Sequence, residues 1–180
     1  MDYMRVISGK YKGKNLLGFD VDGTRPTMDR VKESLFGSIQ NKIKDSVCLD
    51  LFAGSGSLGI EALSNGAKCC YFGDLNKEIL KILKNNLNGI ENSFIIEGDY
   101  LKILNELKDK KFDVIFLDPP YKFNLINNSI EFILENKMLN EDGIIVCEYE
   151  TEAINNYNLE EIKDKKYGSK RIKILKNNLK

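Results

Sequence analysis

Two stretches of the chain hold groups whose types and spacing could do chemistry. The first, "FDVIFLDPPYKF" at residues 112–123, ends an apolar run on Asp118-Pro119-Pro120-Tyr121. Proline offers no backbone donor and fixes φ, so a chain that meets two prolines must leave its sheet. A carboxylate, free carbonyl oxygens and a flat ring then stand at the carboxyl end of a strand, where open α/β sheets place ligands. The second, "VCLDLFAGSGSLGIEAL" at residues 47–63, runs from a strand ending at Asp50 through a glycine-rich turn into a helix beginning near Ser57. Gly54, Gly56 and Gly59 fit the G-x-G-x-x-G spacing of dinucleotide-binding turns. Asp74 stands twenty residues past Gly54, where a ribose-binding acid is expected.

An NAD enzyme is therefore one reading. Against it, Asp50 and the residues that follow (Phe52, Ala53, Ser55) would set a carboxylate where a dinucleotide brings its pyrophosphate. S-adenosylmethionine has no phosphate, and its ammonium suits an acid. The chain also has no histidine to relay protons for hydride transfer. D-L-F-A-G-S-G resembles motif I of class I methyltransferases. By the same resemblance, Leu75 follows the ribose acid, and Asp99 in "EGDY" accepts from the adenine amine with Tyr100 or Leu101 beside the ring. An Asp after a strand is equally often a helix N-cap, and both roles stay open for Asp99.

DPPY resembles the [DNS]-PP-[YFW] signature of enzymes that methylate exocyclic amines of bases. An aryl amine is a poor nucleophile because its lone pair is delocalised into the ring. Asp118 and the Pro119 carbonyl, both acceptors, can hold its two N–H bonds and stabilise the charge that develops on nitrogen. Pro120 stiffens the turn, and Tyr121 can stack on the base. Proton loss can follow transfer, so no general base of matched pKa is required.

These stretches need a scaffold, and the apolar pattern supplies one. Val31, Leu35, Ile39 and Ile43 recur every fourth residue and predict a helix. Strands are expected at Val47–Phe52, Cys69–Phe72, Phe94–Glu97, Val114–Leu117 and Ile144–Glu148. Helices are expected near 57–65, 77–88, 100–108 and 126–138. This alternation predicts a parallel sheet covered on both faces. Two more strands are expected near Leu159–Lys166 and Arg171–Leu175. Residues 4–18 read as a hairpin, with Lys10, Lys12 and Lys14 interleaved with Tyr11 at its turn.

At 180 residues the chain fits one domain, 1–180. No run is long and apolar enough to span a bilayer. Cys48, Cys69, Cys70 and Cys147 form no C-x-x-C pair, so no zinc or other metal site is expected, and all four read as reduced residues of a cytoplasmic protein. The net charge of zero is unevenly spread. Residues 1–44 carry nine Lys/Arg against five Asp/Glu, 45–162 carry ten against 21, and 163–180 carry eight against one. Basic ends around an acidic middle suit a phosphate backbone at the ends and chemistry between them. For the C-terminal run alone, solvated surface lysine is the better account.

Nearly end to end, "MRVISGKYKGKNL", "TRPTMDRVKESLF", "LDLFAGSGSLGIEALSNGA", "FDVIFLDPPY" and "YGSKRIKIL" resemble the RsmD family, bacterial 16S rRNA guanine-N2 methyltransferases. The resemblance implies S-adenosylmethionine as donor. It implies a class I, Rossmann-like fold with a seven-stranded, mostly parallel sheet whose last strand is antiparallel. An N-terminal hairpin extension (1–24) would precede a catalytic core (25–180). It implies a monomer acting on 16S rRNA in an assembling small subunit, with no membrane partner. RNA would be held by Arg5, Lys10, Lys12, Lys14, Arg25, Thr27 and Arg30. In one respect the chain departs from the pattern. The acid that ends strand two in the family falls on Gly73 in the simplest alignment, so Asp74 takes the ribose role only if the strand end shifts by one residue. An adenine-N6 methyltransferase acting on DNA or RNA uses the same DPPY residues, and a non-catalytic RNA-binding assembly factor could keep the fold.

Overall fold

The computed structural model describes residues 3–18, 25–120 and 124–178; for Tyr3 and 25–27 it describes the backbone alone. A short antiparallel hairpin, β1 (Tyr3–Arg5) and β2 (Asn15–Leu17), precedes the long helix α1 (Arg25–Ile43). Strands and helices then alternate: β3 (Val47–Asp50), α2 (Ser57–Ser64), β4 (Cys69–Asp74), α3 (Lys77–Asn86), β5 (Ser93–Glu97), α4 (Tyr100–Leu107), β6 (Phe112–Leu117), α5 (Leu125–Glu135) and β7 (Leu139–Tyr149). The hairpin β8 (Glu160–Tyr167) and β9 (Lys170–Lys176) follows.

Seven strands form one sheet in the order β5-β4-β3-β6-β7-β9-β8, parallel from β5 to β7, with β9 antiparallel to both neighbours. The burial pattern explains the arrangement. Val114, Ile115, Phe116 and Leu117 are fully buried, as a central parallel strand requires on both of its faces. Alternate residues divide the core in two. Cys48, Cys70, Phe72, Val114 and Phe116 pack with α1, α2 and α3. Leu49, Ile115, Leu117, Ile145 and Cys147 pack with α4 and α5. In α3, Leu80 and Leu83 turn inward while Lys77, Lys81 and Lys84 face water, and Asn76 caps the helix by accepting from the Glu78 and Ile79 N–H groups. No helix among the described residues is long and apolar enough to cross a membrane.

Several boundaries differ from expectation, and for two of them the local reason is plain. β3 ends at Asp50: the Leu51 N–H makes a last bond to Phe116 O at 3.3 Å, and by Ala53 the N–H has turned to Gly73 O at 2.8 Å. β7 starts five residues earlier than its apolar run, through Asp142-Gly143, whose composition suggests a turn. The bonds Asp142 N to Asn177 O and Asn177 N to Gly143 O, both 2.9 Å, hold that stretch in the sheet.

The strand order reverses at β3: the chain builds outward to β4 and β5, then returns to place β6 on the other side. Asp50 lies opposite Phe116 across that pair, so the glycine turn and the double-proline turn leave the sheet side by side. Ligands of open α/β sheets bind at such a switch point.

Candidate active site

The glycine turn is built by backbone that a side chain would obstruct. Gly56, the residue before α2, has φ +84°, and a Cβ there would meet Leu83 at 2.6 Å. Gly59 lets α2 lie on β4, where a Cβ would come within 2.3 Å of the Phe72 ring. The turn is pinned by carboxylates. Asp50 is buried and accepts from the Gly59 N–H at 3.0 Å. Burial pushes its carboxyl up to about 7, the Gly59 bond opposes this, and the charges of Asp74 and Glu148 add to it. Asp74 accepts from Gly54 N–H through Oδ2 at 3.0 Å and from Asn76 N–H through Oδ1 at 3.1 Å.

Those two bonds bear on the shifted alignment at the end of β4. Gly73 has no space for a side chain, since a Cβ would meet Ile103 at 2.6 Å and Leu51 O at 2.9 Å. Asp74, the last residue of the strand, is the one whose carboxylate faces the glycine turn. Around it, Leu75 is 65% exposed, an apolar side chain left open beside the turn. Asp99 is the N-cap of α4, accepting from Lys102 N–H at 2.9 Å, so its capping role is realised. Tyr100 lies 6.0 Å from the Phe52 ring, and its hydroxyl accepts from Asn128 at 3.4 Å. Leu101 is 43% exposed. Ala53 and Ser55 brace the turn through backbone bonds, Ala53 N–H to Gly73 O and Asn86 Nδ2 to Ser55 O at 2.8 Å.

Asp118 follows β6 directly and is half-buried, with Pro119 buried and Pro120 exposed. Tyr121 lies outside the described residues. Desolvation and the neighbouring Glu148 hold the Asp118 carboxyl well above the usual carboxylate range, while Lys170 opposes them. Four carboxyl groups thus converge on the switch point: Asp50, Asp74, Asp118 and Glu148. The surroundings invite a cation and would repel a pyrophosphate.

The model of the family described as Conserved hypothetical protein 95 matches residues 4–176. Ribosomal RNA small subunit methyltransferase D of Haemophilus influenzae is 42% identical over 152 residues, covering 82% of this chain and 79% of the relative. The chain belongs to the RsmD family. The solved structure of yhhF from Escherichia coli superposes with a TM-score of 0.87 at 30% identity, over 99% of this chain and all of that one. An RNA methyltransferase from Salinibacter ruber, solved with S-adenosyl-L-homocysteine, is 15% identical with a TM-score of 0.63 and shares the class I methyltransferase fold.

In this RsmD chain the basic residues singled out by sequence do not form one cluster. Arg5 pairs with Asp29 of α1 at 3.0 Å, and Arg30 is exposed on the same helix; the side chains of Arg25 and Thr27 lie outside the described residues. The hairpin's lysine turn docks at the far end of α2 from the glycine turn. There Lys10 N–H donates to Ser64 O at 2.7 Å, Lys10 Nζ pairs with Glu91 at 3.5 Å and Lys14 Nζ donates to Asn88 O at 3.0 Å. Lys12 is exposed. Sequence reasoning missed the group that holds the hairpin down. Buried Glu61 accepts from Ile7 N, Ser8 N and Ser8 Oγ, and pairs with buried Lys32 at 3.2 Å. A glutamate on an otherwise apolar face of α2 was the available signal. Sequence reasoning also missed the roles of Glu148 and Lys170, although Glu148 ends a strand beside DPPY.

Proposed function

We propose that the chain transfers the methyl group of S-adenosylmethionine to the exocyclic N2 of a guanine in 16S rRNA, presented by an assembling small subunit. One observation carries the reading: the glycine turn after Asp50 and the Asp118 turn leave adjacent strands β3 and β6 at the same edge. Two ligands held there can meet. The name of the H. influenzae relative supports small-subunit rRNA as substrate.

The residues present fit the donor. Asp74 keeps lone pairs for ribose hydroxyls beyond its two backbone bonds. Exposed Leu75 and the Tyr100 ring offer apolar faces to adenine, with Asp99 beside them. Residues 52–56 would hold the amino-acid end near Asp50, whose negative charge would favour the ammonium. The donor supplies an electrophilic methyl on cationic sulfur. Asp118 and the Pro119 carbonyl hold the amine N–H bonds and aim the nitrogen lone pair at that carbon. The protein acts by placement and fixed dipoles, which remove the orientational penalty and stabilise developing charge on nitrogen.

Mass spectrometry of small-subunit RNA from cells with and without this gene tests the reading. Loss of one N2-methylguanosine is the expected result. Loss of an N6-methyladenosine would reassign the substrate, and an unchanged profile would overturn the assignment.

A further inference from the structure

Asp118 has a partner on the next strand. β6 and β7 are parallel with Leu117 opposite Cys147, so the following rung sets Glu148 beside Asp118. Glu148 is opposite Ile172 of β9, and Lys170 at the start of β9 reaches its Oε1 at 2.9 Å. The Glu148 side chain is only 15% exposed, and the strand register sets its carboxyl beside that of Asp118, close enough for the two to share a proton. Among the described residues, the charged groups facing Asp118 are Asp50 from β3, Glu148 from β7 and Lys170 from β9.

A hydrogen bond between two carboxyl groups needs a proton between them, because ionised carboxylates only accept. Lys170 forms an ion pair with Glu148, Nζ to Oε1 at 2.9 Å. The proton therefore belongs on Asp118, in keeping with its raised carboxyl. We propose that Glu148, anchored by Lys170, is a positioning residue: it fixes one oxygen of Asp118 through a hydrogen bond and leaves the other, a carbonyl oxygen, to accept an N–H of the target amine. This rests on the methyltransferase reading above. In that state Asp118 has the hydrogen-bonding pattern of an asparagine, a donor toward Glu148 and an acceptor toward substrate. As the nitrogen–carbon bond forms, the carbon–sulfur bond breaks and its electron pair stays on sulfur. The methylated nitrogen then releases a proton to water, and the proton between Asp118 and Glu148 is not consumed.

Single-turnover transfer by the full chain, onto small subunits from cells lacking the gene, tests this. Glu148→Ala should slow transfer about 10–100-fold, as loss of positioning does, with S-adenosylmethionine affinity unchanged. Glu148→Gln, which still offers an acceptor, should recover most of the rate. Asp118→Asn should stay within about tenfold of wild type, the amide donating to Glu148 in place of the acid. The wild-type rate should fall on the alkaline side as the shared proton leaves. Asp118→Asn should lack that fall, and Lys170→Met should move it to higher pH, since removing a cation holds the proton on the pair. A wild-type rate in Glu148→Ala, or Asp118→Asn as inactive as Asp118→Ala, overturns the proposal while the methyltransferase reading stands. No transfer by the wild-type chain to any RNA would remove that reading and this inference with it.

Discussion

The Gly54 N–H donates to the Asp74 carboxylate at 3.0 Å, tying the turn after the first sheet strand to the end of its neighbour β4. One acid thus shapes the glycine turn, and in the proposed function it also accepts from the donor's ribose hydroxyls. Asp74→Ala should weaken S-adenosylmethionine binding about 10–100-fold, because hydrogen bonds to a charged acceptor contribute about 1.5–3 kcal/mol. Asp74→Asn should lose less. Isothermal titration calorimetry of the three proteins checks this; equal affinities would place the ribose elsewhere.

Asp50 makes stability and donor binding respond oppositely to pH. Its carboxyl ionises near 3.8 when exposed and at about 7 in the fold, so between those values the folded chain holds a proton that the unfolded chain has released. The stabilisation is complete below about pH 4 and disappears as pH rises through about 7, a difference of up to roughly 4 kcal/mol. Urea unfolding should therefore show wild type losing stability relative to Asp50→Asn between pH 4 and pH 8. A cationic donor should bind wild type more tightly at the upper end, where Asp50 is charged. Parallel stability curves for the two proteins would mean that Asp50 is ionised in the fold throughout.

Much of this was legible in the sequence, and the reason is periodicity. The runs around Cys48, Cys70, Val114 and Ile145 are short, apolar and punctuated by glycine or proline, so strand positions and the parallel architecture followed. The two turns at Asp50 and Asp118 were legible because glycine spacing and paired prolines leave few conformations. What could not be read was register. Nothing local says that Asp74 rather than Gly73 faces the turn; that depends on the packing of Ile103 and Leu51 O against Gly73. Likewise Glu148 meets Asp118 only because Leu117 aligns with Cys147, and Lys170 joins them only because β9 inserts between β7 and β8. The docking of Lys10 and Lys14 against the end of α2 is tertiary in the same sense.

Asp118→Ala should abolish methyl transfer while leaving S-adenosylmethionine affinity within about twofold. The turn that would hold the donor is braced by Asp50, Asp74 and Asn86, and no bond in that bracing involves Asp118. Loss of the acceptor leaves the amine unoriented, and orientation accounts for a large part of the rate in a reaction without a proton relay. Single-turnover kinetics with calorimetry on the same preparation separates the two effects. Retained turnover would assign amine positioning to another group.

Lys32 and Glu61 bind the N-terminal hairpin to α2 through a buried ion pair, with side chains 7% and 1% exposed. Lys32 also donates to Arg5 O at 2.7 Å and to Ser57 Oγ at 3.0 Å, so it spans the hairpin, α1 and the start of α2. Burial lowers the Lys32 ammonium from its ordinary value, and Glu61 acts against that shift. Lys32→Met removes the cation and leaves the Glu61 carboxylate buried, which should destabilise the fold by about 3–5 kcal/mol. Adding Glu61→Gln should recover part of that loss, since the amide carbonyl can still accept from Ile7 or Ser8. Urea denaturation measures the energies, and hydrogen exchange at the Ile7 and Ser8 amides reports whether the hairpin loosens before the sheet. Unchanged protection there, with full loss of stability, would show that the pair supports α1 against α2 and not the hairpin.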